Sequence, residues 1–439
     1  VNKGVSWLIA AQHPDGGWGG GSHAKQDVRD PHQVPTDPAT TAFTLLTLLR
    51  AGHTPATGEF APQVRKGLEQ LLAIVEKAPA EGAKITDITG TQPQSKLGQF
   101  VDTPLAAQYL ARVVGILPKD DPLYKRADAA LEKCVAKLQS SQDKDGGWGG
   151  GGGWASVLAS SMACTALEVA QAAGKDVNGD KLLAAQNFQR NQVVVNGTAS
   201  VAEVGAGATS ERAAAATPPT SSPAAPTVTA KTEHSAGVEF YAFGGAMRGN
   251  ATAAREADSL LADAKLHGTL PADAAASEDN LYKAMENRAA RGGARAQGSV
   301  SRDEARRLAG AATQNEAQIA RLDDEKLLAG FGNNGGEEYL SYLLTSESLV
   351  IAGGDKFHQW NDKIHGRLAK IQNADGSWSG MHCITSPVFC TAAVVQCLTT
   401  DRDAPYLIAM AEAAKARAEK VAKDATVAQK EPNAGGGEE

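Results

Sequence analysis

The sequence predicts an all-α protein, a ring of about six helical hairpins with an inserted helical arm and a C-terminal helix. Two observations predict it. The first is a repeated phrase: "QHPDGGWG" (Gln12 to Gly19) returns as "QDKDGGWG" (Gln142 to Gly149) and "QNADGSWS" (Gln372 to Ser379). The second is what flanks it. A helical pattern runs into each Gln, with Leu8, Leu138 and Leu368 four residues ahead on the same face. After a variable loop a second apolar run begins, around Thr41-Ala42, Thr165-Ala166 and Thr391-Ala392. Asp-Gly favours a turn, because Asp bonds its own backbone and Gly accepts positive φ, so each phrase is the corner of a helical hairpin. Asp15, Asp145 and Asp375 make the turn. Trp18, Trp148 and Trp378 lay their rings over the helix ends, and Gln12, Gln142 and Gln372 are expected to bond unpaired backbone groups at a neighbouring terminus.

Weaker copies between these corners bring the hairpins to six. Their first helices are expected near 2–12, 61–76, 122–141, 178–190, 303–329 and 355–371, and their second near 38–50, 102–115, 155–173, 237–248, 337–353 and 385–398. Hairpins repeating on this scale stack to bury a shared core, and six can close a ring with the second helices inside. The chain then divides into a first part of the ring (1–197), a Pro/Ala/Thr/Ser linker (198–236), an inner-helix segment (237–250), an inserted helical arm (251–302), a last part of the ring (303–403) and a C-terminal helix with a disordered tail (404–439).

Composition narrows the function. With 42 % hydrophobic and 21 % charged residues the chain is ordinary globular material. A net charge of −7 without a basic stripe excludes a nucleic-acid partner. No apolar run approaches the roughly 20 residues of a transmembrane helix. Five cysteines, Cys134, Cys164, Cys383, Cys390 and Cys397, do not form a disulfide framework.

The Gln-x-x-Asp-Gly-x-Trp phrase resembles the QW repeat of squalene and terpenoid cyclases and of the related protein prenyltransferase β subunits, which implies an α/α toroid over most of the chain outside 198–302 and the tail. More narrowly, "ITDITGTQPQSKLGQFVDT", "GNNGGEEYLSYL" and "GSWSGMHCITSPVFCTAA" resemble bacterial prenyltransferase/squalene-oxidase-repeat proteins with no assigned activity. The catalytic features of these relatives are missing here. There is no Asp-x-Asp-Asp acid. Asp323-Asp324-Glu325 lies in a charged outer-helix pattern, and a chain that is 5 % aromatic has few rings to stabilise carbocations. The Asp-x-Cys zinc pair of the prenyltransferases has no match, so no cofactor is expected. The one metal candidate is zinc at His382-Cys383, with Cys390 two turns on. Together with a start already inside a helix ("VNKGVSWLIAAQ"), the resemblance points to an export signal upstream and an exported or periplasmic location.

The polar residues fall in a pattern. Asp37, Asp102, Glu337, Glu338 and His382 all precede or open inner helices, which start at one end of a toroid, so an acidic mouth is expected there. Asp37 and Asp102 are placed to cap helices. The first functional expectation is a non-catalytic ring that binds a protein partner or an apolar small molecule through this mouth and the arm. An alternative is a prenyl- or terpenoid-processing enzyme with relocated residues, which requires Glu337, Glu338, His382 and Cys383 to converge. A third is a carbohydrate-processing toroid, which requires Glu337 or Glu338 within about 5–9.5 Å of Asp102.

Overall fold

The computed structural model describes residues 1–196, 227–291, 300–332 and 334–413. Six outer helices, α1 (Asn2–Ala10), α3 (Ala61–Lys77), α6 (Pro122–Ser140), α8 (Gly179–Arg190), α11 (Arg302–Ile319) and α14 (Lys356–Ala369), alternate with six inner ones. The inner helices are α2 (Pro38–Arg50), α5 (Asp102–Val114), α7 (Ser156–Ala172), α9 (Glu239–Leu266), α13 (Gly336–Ala352) and α15 (Pro387–Leu398). Each inner helix packs on the next, from α2 through α5, α7, α9, α13 and α15, and α15 packs back on α2. The ring is therefore closed, an all-α toroid. Amphipathicity separates its two layers: outer helices such as α3 bury one stripe, while every residue of α13 and α15 is buried.

The repeated phrase builds the same corner three times. Trp18, Trp148 and Trp378 donate Nε1–H to the carbonyls of Leu8, Leu138 and Leu368 at 2.7, 3.0 and 2.9 Å. Asp15, Asp145 and Asp375 each accept the amide two residues on, and Gly16, Gly146 and Gly376 adopt φ near +95° (95°, 91° and 96°). Two of the glutamines reach backbone at a neighbouring helix terminus, as expected, although the groups they bond are carbonyls. Gln12 and Gln142 bond the carbonyls of Gly16 and Gly146 in their own turns, and those of Gln63 and Lys181 on the next outer helices, so each stitches one hairpin to its neighbour. Gln372 bonds Gly376 O. The third corner closes the ring through another contact, Trp7 Nε1 donating to Asp375 at 3.0 Å. The Trp amides bond Thr41 and Thr391 as the alignment implies, but Trp148 bonds Ser160 rather than Thr165, so the second copy is shifted along its helix.

Four features depart from the expected outline. A short helix α4 (Gln92–Leu97) precedes α5, started by a reciprocal capping box between Thr91 and Gln94. The outer segment 303–329 breaks after Ile319 and resumes as α12 (Glu325–Leu328), because the Asp324 carboxylate accepts the amides of Lys326 and Leu327. Glu325 pairs with Lys363 and Arg367. Residues expected in the linker form a strand, Thr227–Ala230, antiparallel to Val193–Asn196, and Val228 is buried; 198–226 lies outside the described residues. The β-branched run "VVVN" carries that strand pairing.

The fourth departure is α9. Its glycines do not end it near 248, and it runs unbroken across 250–251 into the arm. Gly245 and Gly249 sit one turn apart where a Cβ would lie 2.4 and 2.7 Å from Gln189, so they serve close packing against α8. The distal half of α9, α10 (Glu278–Arg291) and the start of α11 share a separate, Ala-rich core including Ala257, Leu260, Leu281 and Leu308. The "RGGARAQG" break expected after α10 and the tail from 414 fall outside the described residues.

Among the described residues, side chains from five inner helices meet on the ring axis. Phe43, Leu105, Met162, Leu340, Leu344 and Gln396, from five inner helices, leave a void of about 20 Å³, room for roughly one water. Beyond it, at the C-terminal ends of the inner helices, Arg50 meets Glu347 at 2.7 Å, Asp403 at 2.8 Å and Gln396 at 2.9 Å. Asp403 lies on a last helix, α16 (residues 400–413), and also receives both Nη groups of Arg112 at 2.6 Å. Arg248 pairs with Glu168 at 2.6 Å.

Candidate functional site

The opposite end of the ring is built from the loops that feed the inner helices. Asp37 caps α2: its carboxylate accepts Thr40 N at 2.8 Å and reaches back to Gly20 N at 2.6 Å, fixing the first corner loop to the helix. Asp102, expected from its position to cap its own helix, does not do so. Its Oδ1 accepts Ala39 N of α2 and its Oδ2 accepts Nε2 of Gln94, so it joins α4 and the start of α2. Glu338 spends its oxygens on Tyr241 OH (2.5 Å), Phe331 N (3.0 Å) and Gly335 N (2.9 Å). Glu337 accepts Ile384 N at 3.2 Å and faces the Cys383 thiol.

These four acids are 0–2 % exposed. The expected acidic mouth is therefore a sealed layer beneath the surface, since each carboxylate is needed by backbone or side-chain donors that the loops leave unpaired. Burial raises the pKa of Glu337 to about 8, with Glu338 adding to the effect, and that of Asp102 to about 7, with Asp37 adding. Burial likewise pushes the Cys383 thiol up to about 12, helped by Glu337. Cys383 sits at φ 58°, the left-handed region that an L-residue rarely takes.

The side chains of Glu337, Glu338, His382 and Cys383 do come together: His382 Nε2 is 3.8 Å from Glu338, and the Phe331 ring meets the imidazole edge-on at 5.4 Å. A zinc site does not result. Cys390, two turns on, donates its Sγ–H to Ile384 O, and among the described residues no three His, Cys, Asp or Glu side chains are arranged to hold a metal ion. The donor set does not fit the group. For a carbohydrate site, both oxygens of Asp102 are already engaged with protein donors.

Several participants were not foreseen. Gln92 Oε1 accepts the amides of Thr385 (2.7 Å) and Ser386 (3.0 Å) and so caps the last inner helix from across the ring. Tyr241 and Lys96 complete the layer. Lys96 is 4 % exposed, with its ammonium 4.0 Å from the centre of the Trp154 ring. Only the Thr-x-x-Gln pattern of Thr91 and Gln94 marks α4 in the sequence; nothing local marks its partners.

Above the layer, the loops present apolar side chains. Trp154, just before α7, is 63 % exposed, Phe331 before α13 is 60 %, Met381 before α15 is 71 %, and Ile88 before α4 is 39 %. Residues 1–90 match the family model of the squalene-hopene cyclase C-terminal domain. The match spans the first corner, α1 to α3 and Asp37, within a chain of 439 residues, and stops before Asp102, Glu337 and His382. No curated protein and no solved structure matches the chain.

Because the folded pKa values of Glu337 and Asp102 lie above those of free carboxyls, the native state holds protons that the unfolded chain has released. Stability is then greatest at the acid end of the window between about pH 4 and 8, falls as pH rises through it, and levels off above. Glu337→Gln should flatten that slope by roughly 4–5 kcal/mol across the window, read by urea denaturation at a series of pH values. An unchanged slope would show that Glu337 titrates normally.

Proposed function

We propose that this protein is a non-catalytic ring that binds a partner protein through the surface over the inner-helix N-termini. The observation that carries this is the pairing of side chains that meet on the ring axis with an exposed apolar rim. The void of about 20 Å³ on the axis compares with roughly 300–1,000 Å³ for pockets that enclose a small-molecule ligand. Meanwhile Ile88, Trp154, Phe331 and Met381 rise on four of the loops that lead into inner helices, and aromatic and Met side chains are what protein interfaces favour. The acids below serve to hold those loops in place. The arm adds a second surface beside the ring.

The prenyl- or terpenoid-processing reading keeps one point in its favour, the convergence of His382, Cys383, Glu337 and Glu338. A photo-crosslinking residue at Phe331 or Met381, in the full chain in its own host, separates the two. Discrete protein adducts at these positions, and none at Ile116 or Leu183 on other faces, are expected. Adducts of equal yield at all four positions, or turnover of an isoprenoid by the purified chain, would overturn the binding reading.

A further inference from the structure

Two other lysines packed against the fold are satisfied by oxygen. Lys137 bonds the carbonyls of Glu81 (2.9 Å) and Gly82 (3.1 Å), and Lys175 pairs with Asp128 and Glu132. Lys96 differs from them. It is 96 % buried by its 4 % exposure, yet among the described residues no carboxylate, carbonyl or hydroxyl accepts a hydrogen bond from its ammonium, and the Trp154 indole covers one side of it. Glu337 lies within its field, and burial raises the pKa of that carboxyl. Its stem is buried while the ammonium keeps contact with solvent, and an anion placed there would complement its charge.

We infer that Lys96 and the Trp154–Phe331–Met381 rim form a receptor for a carboxylate flanked by apolar groups, the C-terminal carboxylate of a partner polypeptide. This rests on the partner-binding reading and names the chemistry of that partner. The charge supplies the complement to a carboxylate. The packed axis, with its void of about 20 Å³, cannot take the tail of a fatty acid inward. A peptide needs no such tunnel, because its side chains can lie along the rim and in the adjoining cleft of about 1100 Å³, which shares Ile88 and Gly152 with the mouth and is floored by Ile85, Phe100 and Trp148. Trp154 follows a run of five glycines, 149–153, two of them at positive φ, so the backbone that places the indole beside the ammonium is one only glycine tolerates.

The test is a calorimetric titration of the full chain with N-acetyl-leucyl-leucine as the free acid, with its C-terminal amide, and with octanoate. The acid should bind at least roughly tenfold more tightly than the amide, as expected for one charge-assisted contact. Lys96→Met should erase that preference and Lys96→Arg should retain it. Equal binding of acid and amide, no binding of the acid at millimolar concentration, or octanoate binding better than the dipeptide would overturn the proposal. The comparison on the unaltered chain needs no variant, so a Lys96→Met protein that fails to fold does not remove the test. If the acid shows no preference while protein adducts persist at Phe331, the carboxylate assignment fails and partner binding stands. If the acid binds but Phe331 and Met381 capture no protein, the partner reading fails instead.

Discussion

Arg50→Met is expected to cost about 3–5 kcal/mol of folding stability. Arg50 is buried at the junction of α2, α13, α15 and α16, where it holds Glu347 and Asp403 at 2.7 and 2.8 Å. Removing it leaves two buried carboxylates with one fewer counter-charge. Asp403 still has Arg112, which also stacks on Tyr406 at 3.8 Å, but Glu347 is left with Arg248 at 3.9 Å. The cost therefore comes chiefly from the stranded Glu347 rather than from lost attraction. Adding Glu347→Gln to Arg50→Met should restore part of the loss, and the two changes measured singly and together in urea should fail to add. Additive losses would show that Arg50 acts only through its packing. The same cluster sets the acid limit of the fold: the two arginines outweigh burial and hold Asp403 down at about 2, so the stability it contributes is present above about pH 4 and is lost as pH falls toward 2.

Trp378→Ala should cost a comparable 3–5 kcal/mol. The ring is 1 % exposed, and its Nε1–H satisfies Leu368 O at the end of α14. What distinguishes it from Trp18 and Trp148 is its position at the seam. Gly4 of α1 presses so close that a Cβ there would lie 3.0 Å from the Trp378 ring and 2.9 Å from Val395. The cavity left by alanine opens between the first and last hairpins. Amide exchange should accelerate in α1 and in α15 and remain slow in α5 and α7. Uniform acceleration across the ring would mean that the seam has no separate stability.

Much of this architecture was readable in advance, for a physical reason. The corner is local: the Trp in each copy bonds a carbonyl ten residues earlier, Asp bonds an amide two residues on, and Gly takes the positive φ between them, so one short phrase contains its own partners. Most inner helices were legible because a helix buried all round carries long apolar runs with few charges, as in Phe43 to Leu49 of α2 and Val388 to Leu398 of α15. The helix containing Gly244, Gly245 and Gly249 was cut short for the opposite reason, since a glycine used for close approach looks the same in sequence as a glycine that ends a helix. The site was harder still. Gln92 and the amide it caps are 293 residues apart, Tyr241 and Glu338 are 97 apart, and no pattern in either neighbourhood announces the other. Position alone marked Asp37, Asp102, Glu337 and Glu338 as a set, yet burial turned what read as an acidic surface into internal fastening. The exposure of Trp154, Phe331 and Met381 depends on how six hairpins assemble, so no local pattern marks it.

The unbroken run of α9 has a mechanical meaning. At 28 residues and about 1.5 Å per residue it is a rod of about 42 Å, one end seated in the ring and the other forming the spine of the arm. Tyr241 anchors the seated end to Glu338 beneath the rim, and Arg248 anchors it to Glu168 further along. Ring and arm thus turn on one axle. A force on the arm is carried along the helix first to the Arg248–Glu168 pair and then to Tyr241 and Glu338 beneath the rim.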